Sequence, residues 1–547
     1  MDGRWTFAGV VLSLLPGVAM AAETSIVLDG TLPDDESAYV LVPFEVPEST
    51  LEIEVRHAAL DRSNVLDWGL LGPDGFRGWG GGNAEDVLVG ADYASRSYRP
   101  GPIETGTWHV LIGKARIDQA PAAYALEVLL RDEVTGTPRT RAPYVAPVLQ
   151  DAPGWYAGDV HVHSLESGDA RPDLLEIGAF AAEVGLDFVV ISDHNVHTAL
   201  DFFNEVHDAG PGVLFVPGVE FTTYAGHANG LGATEWVDFR VGDTTAINDA
   251  VSAYHEQGAL FVLNHPTLDL GPLCIGCTWQ HALDPAEIDA VELTVAGSLS
   301  GGFVASAIEA WDALCDQGVH VTPVGGSDDH KAGVDLSQFQ SPIGQGTTVV
   351  EADALSAAAI VAGIRRGRTV VMLDGPGDPM VVFDAPGREG DTVRGEAVDL
   401  VASITGAQGE TARLVVNGEP SNSMSVDGDP FEMTWTVDAP AQGQDRYRVE
   451  VLVDGQLRTI TSHLWVEFEA EPAAGSSSGG GGGSGEPGST GSDRPTSSGG
   501  AVGTSSGADA DPGSTGDEGC GCAHQRGAGP LWSLCVLLGI LGRRRRR

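Results

Sequence analysis

Two histidines spaced two residues apart, His161 and His163, are the first residues in the chain whose types suggest chemistry. They lie in a short run, residues 158–164, in which apolar and polar residues alternate. Because side chains of a β-strand point alternately to its two faces, both imidazoles would project from one face. Such a pair can supply half of a metal site, although an isolated pair is also typical of ordinary strand histidines.

Further residues of metal-ligand type recur downstream, and most of them follow a short apolar run that indicates a strand. The carboxyl ends of parallel strands meet at one rim of a barrel, so we expect these side chains to converge. Asp169 and His227 lie instead in predicted loops. The candidate ligands are His161, His163, Asp169, His194, Glu220, His227, His265, Asp328 and His330.

This mixture of imidazoles and carboxylates suits zinc, manganese or iron better than calcium or magnesium. A carboxylate such as Glu220 can bridge two ions about 3.5–4 Å apart, and such ions lower the pKa of bound water toward about 7. Hydrolysis by metal-bound hydroxide needs no serine or cysteine nucleophile. Outside the glycine- and serine-rich stretch at 471–519, where this spacing arises from composition, the chain contains no G-x-S-x-G elbow that would indicate one.

The elements that would position these residues occupy 154–380, where apolar runs alternate with amphipathic segments. We predict strands at 160–163, 187–192, 213–219, 260–264, 290–294, 321–325, 347–350 and 368–372. Helices are predicted at 172–184, 245–256, 304–316 and 354–366. This alternation predicts a parallel sheet closed as a barrel.

The regions on either side of 154–380 contain short alternating strands and turns without helical periodicity. We predict a β-sandwich at 22–134, a proline-rich connector at 135–153 and a second β-sandwich at 381–470. Three aromatic residues of the first sandwich, Trp68, Phe76 and Trp79, could line a ligand surface, but core packing is favoured for them.

The middle region resembles a PHP domain, of the polymerase and histidinol phosphatase superfamily. The matching motifs are His-Val-His at 161–163, Ser-Asp-His at 192–194, Glu220, Asn-His-Pro at 264–266 and Ser-Asp-Asp-His at 327–330. The run at 218–227 is similar to the carbaryl-hydrolase-like and microcin-processing subgroup. The resemblance implies a distorted (βα)7 barrel that binds two or three divalent metal ions.

The same resemblance implies a distribution of ligands. His161, His163, Glu220 and Asp328 would hold one ion, and Glu220, His227 and His265 a second. Asp169, His194 and His330 would hold a third, although Asp169 stands where some three-metal members have histidine. The residues expected to act in catalysis are Glu220, His194, Asp193 and His330, with Asp193 orienting a ligand.

Four further residues near these motifs are candidate substrate contacts, although a surface position is the ordinary one for arginine and lysine. They are Arg171, His197, Lys331 and Arg368.

The formal net charge of −47 would repel phosphate backbones, so we expect a small-molecule substrate and no nucleic-acid partner.

An apolar segment with an Ala-Met-Ala site indicates a signal peptide at 1–21 and export, with a buried N-terminal strand as the alternative. Residues 471–519 are a glycine- and serine-rich tether.

The last residues, 520–547, contain Cys520 and Cys522, an apolar stretch and five terminal arginines. The stretch is shorter than the ~20 residues that span a bilayer, and a marginal membrane anchor is one interpretation. The three parts in this order resemble the surface-sorting tail of myxobacteria. That resemblance implies sorting-protease and lipidation partners, and attachment to the cell surface or outer membrane.

Two cysteines, Cys274 and Cys277, lie close together in a glycine- and proline-containing loop. A zinc site would need two further soft ligands nearby, so a local disulfide is favoured. Cys315 lies in a helical pattern and is predicted to be a buried thiol.

These observations support three hypotheses. The first is an exported metal-dependent phosphoesterase, since phosphoester hydrolysis is the commonest activity of PHP domains. The second is a carbamate, ester or amide hydrolase, which the subgroup likeness suggests. The third is a surface binding protein with an inactive barrel.

Overall fold

The computed structural model describes residues 23–32, 35, 37–57, 64–83, 85–295, 301–333 and 341–468. The predicted signal peptide, tether and sorting tail, with Cys520 and Cys522, lie outside these residues. No helix among the described residues is long and apolar enough to cross a membrane.

The N-terminal region folds into two sheets around one core. Its strands are β1 (Glu23–Leu32), β2 (Tyr39–Val46), β3 (Glu52–His57), β4 (Asn64–Gly72), β5 (Gly75–Gly81), β6 (Val87–Gly90), β7 (Gly106–Ile117) and β8 (Ala122–Arg131). One sheet has the order β1-β8-β3-β6 and the other β2-β7-β4-β5. Alternate side chains of both sheets, such as Ile53, Val110 and Val128, form one buried cluster.

The middle region alternates strands and helices, as its periodicity predicts. After β9 (Val148–Gln150) come β10 (Gly154–Val162), α1 (Leu174–Val184), β11 (Phe188–Ile191), α2 (Phe203–Ala209), β12 (Leu214–Pro217), β13 (Glu220–Thr223), β14 (Gly226–Leu231), α3 (Ile247–Glu256) and β15 (Leu260–Leu263). Then follow β16 (Ala290–Glu292), α4 (Gly301–Cys315), β17 (Thr322–Val324), β18 (Thr347–Ala352), β19 (Leu355–Ser356), α5 (Ala357–Arg365) and β20 (Thr369–Met372).

β9 and β19 pair with each other, and the other strands form two sheets that share a core. β10, β11 and β12 are parallel, and β18 and β20 extend that sheet in antiparallel pairing. The other sheet has the order β13-β14-β15-β16-β17 and is parallel only from β15 onward. Val160 and Val216 of the first sheet belong to the same buried cluster as Val262 and Val324 of the second.

The prediction of an all-parallel sheet is therefore wrong for part of this region. β13 and β14 are joined by two residues only, Tyr224 and Ala225, and so short a connection can join only antiparallel strands. The hairpin brings two candidate ligands together, because it places His227 opposite Thr222, two residues from Glu220.

The C-terminal region is again β-rich. Its strands are β21 (Met380–Asp384), β22 (Thr392–Gly395), β23 (Ala397–Thr405), β24 (Thr411–Val416), β25 (Glu419–Ser425), β26 (Phe431–Asp438), β27 (Gln444–Val453), β28 (Gln456–Thr461) and β29 (Leu464–Phe468). A β21-β23-β26 sheet shares a buried cluster with β24, β27 and β29. Because β20 pairs with β28, hydrogen bonding continues across the predicted boundary at residue 380.

Candidate metal centre

His161 and His163 lie at the carboxyl end of β10, and both side chains are fully buried. Their Nε2 atoms are 3.1 Å apart. Asp328 Oδ1 lies 3.3 Å from His161 Nε2 and 3.0 Å from His163 Nε2. Three potential ligand atoms from two separate strand ends thus converge on one point.

Glu220, the first residue of β13, lies at the middle of the cluster. Its Oε1 is 3.5 Å from His161 Nε2, 3.3 Å from His265 Nε2 and 3.1 Å from His227 Nδ1. Its Oε2 is 3.5 Å from His163 Nε2. The carboxylate therefore has one oxygen facing each side of the cluster, which is the placement a bridging ligand requires.

A third group of ligand atoms lies toward the open edge of the site. Asp169 Oδ2 is 3.3 Å from His194 Nε2 and 3.4 Å from His330 Nε2. The His163 and His330 rings stack with centroids 4.0 Å apart. The Asp169 side chain is 53% exposed, so this group is the one that solvent reaches most easily.

The donor set fits divalent cations. Glu220 Oε2 is fully buried and makes no hydrogen bond of good geometry among the described atoms, although His194 Nδ1 lies 2.7 Å away and also contacts Thr222 Oγ1. The charge of this buried oxygen needs a cation, which a metal ion or the protonated His194 can supply. The His/Asp/Glu groups are of the kind that holds zinc, manganese or iron.

The electrostatics of the cluster favour the metal-binding form of some ligands only. Burial would lower the pKa of His161, His194, His265 and His330, but the neighbouring carboxylates raise it, so metal binding must displace protons from these imidazoles. Burial, with repulsion from His330 and His194, lowers the pKa of His163 to about 3, so this imidazole is neutral. Burial alone would raise the pKa of Glu220, but His194, His227 and His161 hold it well below its usual value. The carboxylate is therefore ionised.

Two ligand residues have backbone conformations that L-residues seldom adopt. His265 has φ of +30° and Asp328 has φ of +55°. Left-handed backbone at non-glycine residues is unfavourable and clusters at functional sites, where the surrounding structure holds it. Gly326 contributes to this packing, because a Cβ there would lie 2.5 Å from His161 Cβ.

Glu292 and Ser167 also belong to the site, and the sequence interpretation missed both. Glu292 Oε1 lies 3.2 Å from His161 Nδ1, and Oε2 accepts a 2.9 Å hydrogen bond from His265 N. Ser167 Oγ lies 3.1 Å from His163 Nδ1 and donates to Asp169 Oδ1 at 2.9 Å. Such partners orient the rings of ligating histidines. Glu292 ends β16, so the rule that found the other strand-end ligands would have found it too.

Two buried aspartates brace the loops behind the ligands. Asp193 accepts from Ser164 N at 2.7 Å and Ser164 Oγ at 2.8 Å, so it orients the loop after His163. Asp159 accepts from Ser327 N at 3.0 Å and Gly344 N at 2.8 Å. It thereby ties β10 to the segment that carries Asp328.

The structure separates the four predicted substrate contacts. Arg171 and Lys331 lie next to the cluster, since Arg171 N donates to His330 O at 3.2 Å and Lys331 follows His330. His197 lines a cavity with Arg99 and Trp236, where the N-terminal and middle regions meet.

Arg368 is not brought to the site. Its Nη1 lies 3.2 Å from Glu351 Oε2, and Glu351 pairs with Trp155 at the start of β10. His161 and His163 lie at the other end of that strand. The structure does not support Arg368 as a substrate contact. β20 pairs antiparallel with β18, and β18 pairs antiparallel with β10, so β20 runs in the direction of β10 and Arg368, just before its start, lies at the end of the sheet away from these histidines.

The cysteine predictions are confirmed within the described residues, where Cys274 and Cys277 form a disulfide and Cys315 is a buried thiol. The disulfide loop reaches the site, since Ile275 O lies 3.2 Å from His227 Nε2. Trp68 and Trp79 are buried, and Phe76 stacks on Trp236 with centroids 4.4 Å apart, as expected of core residues.

No known family profile matches the chain, and no curated protein matches its sequence. Among solved structures, it is similar to a two-domain protein from Bacteroides vulgatus containing a predicted PHP-like metal-dependent phosphoesterase. The identity is 19%, over 60% of this chain and 100% of that chain, with a TM-score of 0.34. An amidohydrolase from Chromobacterium violaceum, with bound sulfate and no metal, has 17% identity over 34% of this chain and 93% of that chain and a TM-score of 0.22. Both TM-scores are too low to carry information on function, so the functional proposal rests on the side chains of this chain.

Proposed function

We propose that this chain is a metal-dependent hydrolase built on a distorted (βα)7 barrel of PHP type, between two β-sandwiches. The observation that carries the proposal is the position of Glu220, whose two oxygens face imidazoles from separate strand ends on both sides. A binding protein with an inactive barrel would have no physical need for so many converging ligands.

Three groups of side chains would hold two or three divalent ions. The first group is His161, His163, Glu220 and Asp328, the second is Glu220, His227 and His265, and the third is Asp169, His194 and His330. When bound, zinc, manganese or iron would supply Lewis acidity and lower the pKa of a coordinated water.

The chain's own residues would orient the ligands and receive the substrate. Glu292 Oε1 and Ser167 Oγ lie 3.2 Å and 3.1 Å from Nδ1 of His161 and His163, so each would accept the Nδ1 proton when Nε2 binds metal. His194 and His330 are 20% and 17% exposed, so the substrate would approach from their side. Arg171 and Lys331, adjacent to this edge, would bind anionic oxygens.

We propose phosphoester hydrolysis as the reaction and carbamate, ester or amide hydrolysis as the second candidate. A specific contact favours the second. Asp67 of β4 accepts a 2.7 Å hydrogen bond from the hydroxyl of Tyr224, on the hairpin that carries Glu220 and His227. The Asp67 carboxylate interacts electrostatically with His194 and Asp169 at the open edge of the site, and there it would repel a dianionic phosphomonoester.

The two reactions are separated by assaying the metal-loaded full chain on p-nitrophenyl phosphates and on naphthyl carbamates. Turnover of the phosphates is the expected result. Turnover of the carbamates alone would contradict the phosphoesterase proposal. A chain that turns over neither substrate and binds less than one ion after reconstitution with Mn²⁺ or Zn²⁺ would favour the binding protein.

Export and attachment to the cell surface through residues 520–547 are part of the same proposal, with sorting-protease and lipidation partners. They are supported by the signal-peptide pattern and the tripartite tail. Deleting 520–547 would release the protein into the medium, as measured by immunoblotting of cell and medium fractions.

A further inference from the structure

The loop between two candidate ligands, His163 and Asp169, is held by the N-terminal region. Glu166 in this loop is 3% exposed, and its Oε2 accepts hydrogen bonds from Ser97 N at 3.0 Å and Thr198 Oγ1 at 3.0 Å. Ser97 Oγ donates to Glu166 O at 2.7 Å. The buried carboxylate thus joins the N-terminal region to the loop from both its side chain and its backbone.

Neighbouring contacts fix the rest of the loop. Arg96 Nη1 donates to Ala170 O at 3.0 Å, one residue after Asp169. Gly168 has φ of +94°, and a Cβ there would lie 2.8 Å from Gly80 O of β5. A side chain at this position would force the N-terminal sheet away, so the two surfaces depend on glycine for their close approach.

The loop transmits this support directly to the ligands. Ser167 follows Glu166, and its hydroxyl contacts both His163 Nδ1 and Asp169 Oδ1, at 3.1 and 2.9 Å. A shift of Glu166 would therefore move the group that orients one ligand and fixes the carboxylate of another.

The N-terminal region also contacts the second ligand-bearing segment. Tyr224, at the tip of the β13–β14 hairpin, donates to Asp67 and stacks on Tyr39 with centroids 5.5 Å apart. Tyr39, Trp79 and Leu111 of the N-terminal region share a buried cluster with Phe221 of β13. Both segments that flank the open edge of the site therefore rest on the N-terminal sheets.

We propose that the N-terminal β-rich region is a positioning element of the metal centre, acting through Glu166 on the loop that carries Ser167 and Asp169. This inference rests on the proposed function, because it concerns the affinity of the same ligands for metal. Glu166 is a positioning residue, since it contacts no candidate ligand itself.

The test compares Glu166→Gln with Glu52→Gln, a matched control. Glu52 is also buried, at 1% exposure, and it accepts from Thr135 N at 2.8 Å and Gly136 N at 2.9 Å at the start of the connector. Apo-protein of the full chain is titrated with Mn²⁺ by isothermal titration calorimetry, and the midpoint of thermal unfolding is measured for each variant.

Glu166→Gln is expected to weaken at least one Mn²⁺ site by about tenfold, the range seen when a partner that orients a ligand is lost. Glu52→Gln should lose comparable thermal stability and bind Mn²⁺ as the wild type does. Should Glu166→Gln not fold, Ser97→Ala removes only the 2.7 Å hydroxyl bond and should weaken the same site by a smaller factor.

Unchanged Mn²⁺ affinities in both Glu166→Gln and Ser97→Ala would overturn the inference, as would an equal weakening in Glu52→Gln. Failure of the proposed function has a different signature, since a wild-type protein that binds no Mn²⁺ would remove the centre itself. If the wild type binds Mn²⁺ and hydrolyses esters, and the Glu166→Gln and Ser97→Ala variants have the same Mn²⁺ affinity, only the positioning role is contradicted.

Discussion

Glu220 is the residue on which the centre depends, because its carboxylate faces ligands of all three groups. The contacts within 3.5 Å include His161 and His265 on one oxygen and His163 and His194 on the other. No other described carboxylate of the cluster touches so many of its imidazoles.

Replacing Glu220 with glutamine keeps its size and removes its charge. We expect a calorimetric Mn²⁺ titration to show the loss of at least one site. We also expect kcat to fall by about 100-fold or more, because losing a ligand should cost at least as much as losing a residue that only orients one. Glu309→Gln, at an exposed position of α4, is the control and should retain both properties. Wild-type stoichiometry in Glu220→Gln would show that the carboxylate is not a ligand.

At this scale, most of the candidate ligands could be predicted from residue type and position. Two residues that contact candidate ligands escaped. Glu292 ends β16, so the strand-end rule would have found it, whereas nothing in the immediate sequence of Ser167 distinguishes it from an ordinary buried polar residue. Their roles appear only in the folded chain, where Glu292 reaches His161 and His265 and Ser167 reaches His163.

At the scale of elements, the close packing behind His161 makes a second prediction. Gly326→Ala would place a Cβ 2.5 Å from His161 Cβ and 2.8 Å from Glu292 Oε1, so β10 and its ligands must shift. We expect reduced metal content, measured by inductively coupled plasma mass spectrometry. Gly377→Ala is the control, because a Cβ there meets nothing within 4 Å. Equal metal content in the two variants would argue against a rigid site.

The disulfide loop makes a third prediction. Ile275 O, between the two cysteines, lies 3.2 Å from His227 Nε2, while Nδ1 lies 3.1 Å from Glu220. A carbonyl that takes the Nε2 proton leaves Nδ1 free to bind metal. The double variant Cys274→Ser/Cys277→Ser should therefore weaken one Mn²⁺ site by about tenfold in a calorimetric titration.

Cys315→Ser is the control for the disulfide variant, since Cys315 is a buried thiol on α4. A second test asks which ring nitrogen of His227 faces the metal. An asparagine amide reaches the place of Nδ1 and a glutamine amide that of Nε2, so His227→Asn should keep more affinity than His227→Gln. The reverse order would contradict the predicted orientation.

Element boundaries in the middle region could be predicted well where local signals exist. Helix α1 begins after Asp173, which forms a capping box with Glu176, and ends at Gly185 in a left-handed conformation. The helix predicted at 172–184 rests on Pro172 and Gly185; Gly185 marks the observed end, whereas Pro172 precedes the cap instead of lying in the first turn. The β13–β14 hairpin and the antiparallel β18 could not be predicted, because strand pairing depends on contacts distant in sequence.

At the scale of the whole molecule, the N-terminal β-rich region, the middle α/β region and the C-terminal β-rich region share buried side-chain clusters. One buried cluster contains Tyr39 of the N-terminal region, Phe261 of the middle region and Trp465 of the C-terminal region. The sequence predicted separate regions from changes in periodicity, but periodicity within an element carries no information on which regions pack together.

The contact between the middle and C-terminal regions gives a prediction on pH. His320 Nδ1 lies 2.9 Å from Asp391 Oδ2, and the ring stacks on Trp465. Burial alone would lower the pKa of His320, but the hydrogen bond and charge of Asp391 raise it above 6.5. Its stabilising effect is therefore complete below pH 6.5 and is lost as pH rises through the raised value.

His320→Gln should accordingly destabilise the protein by about 1.5 kcal/mol at pH 6, as expected for losing a hydrogen bond between charged groups. The difference from wild type should shrink at pH 9. Urea unfolding at the two pH values measures it, and a difference independent of pH would show that the imidazole is neutral in the folded protein.

The metal content of the wild-type chain tests the central claim most directly. After chelation, reconstitution with Mn²⁺ or Zn²⁺ and removal of free metal, inductively coupled plasma mass spectrometry would count the ions per chain. The converging imidazoles and carboxylates around Glu220 predict two or three ions. Less than one ion per chain would contradict the account.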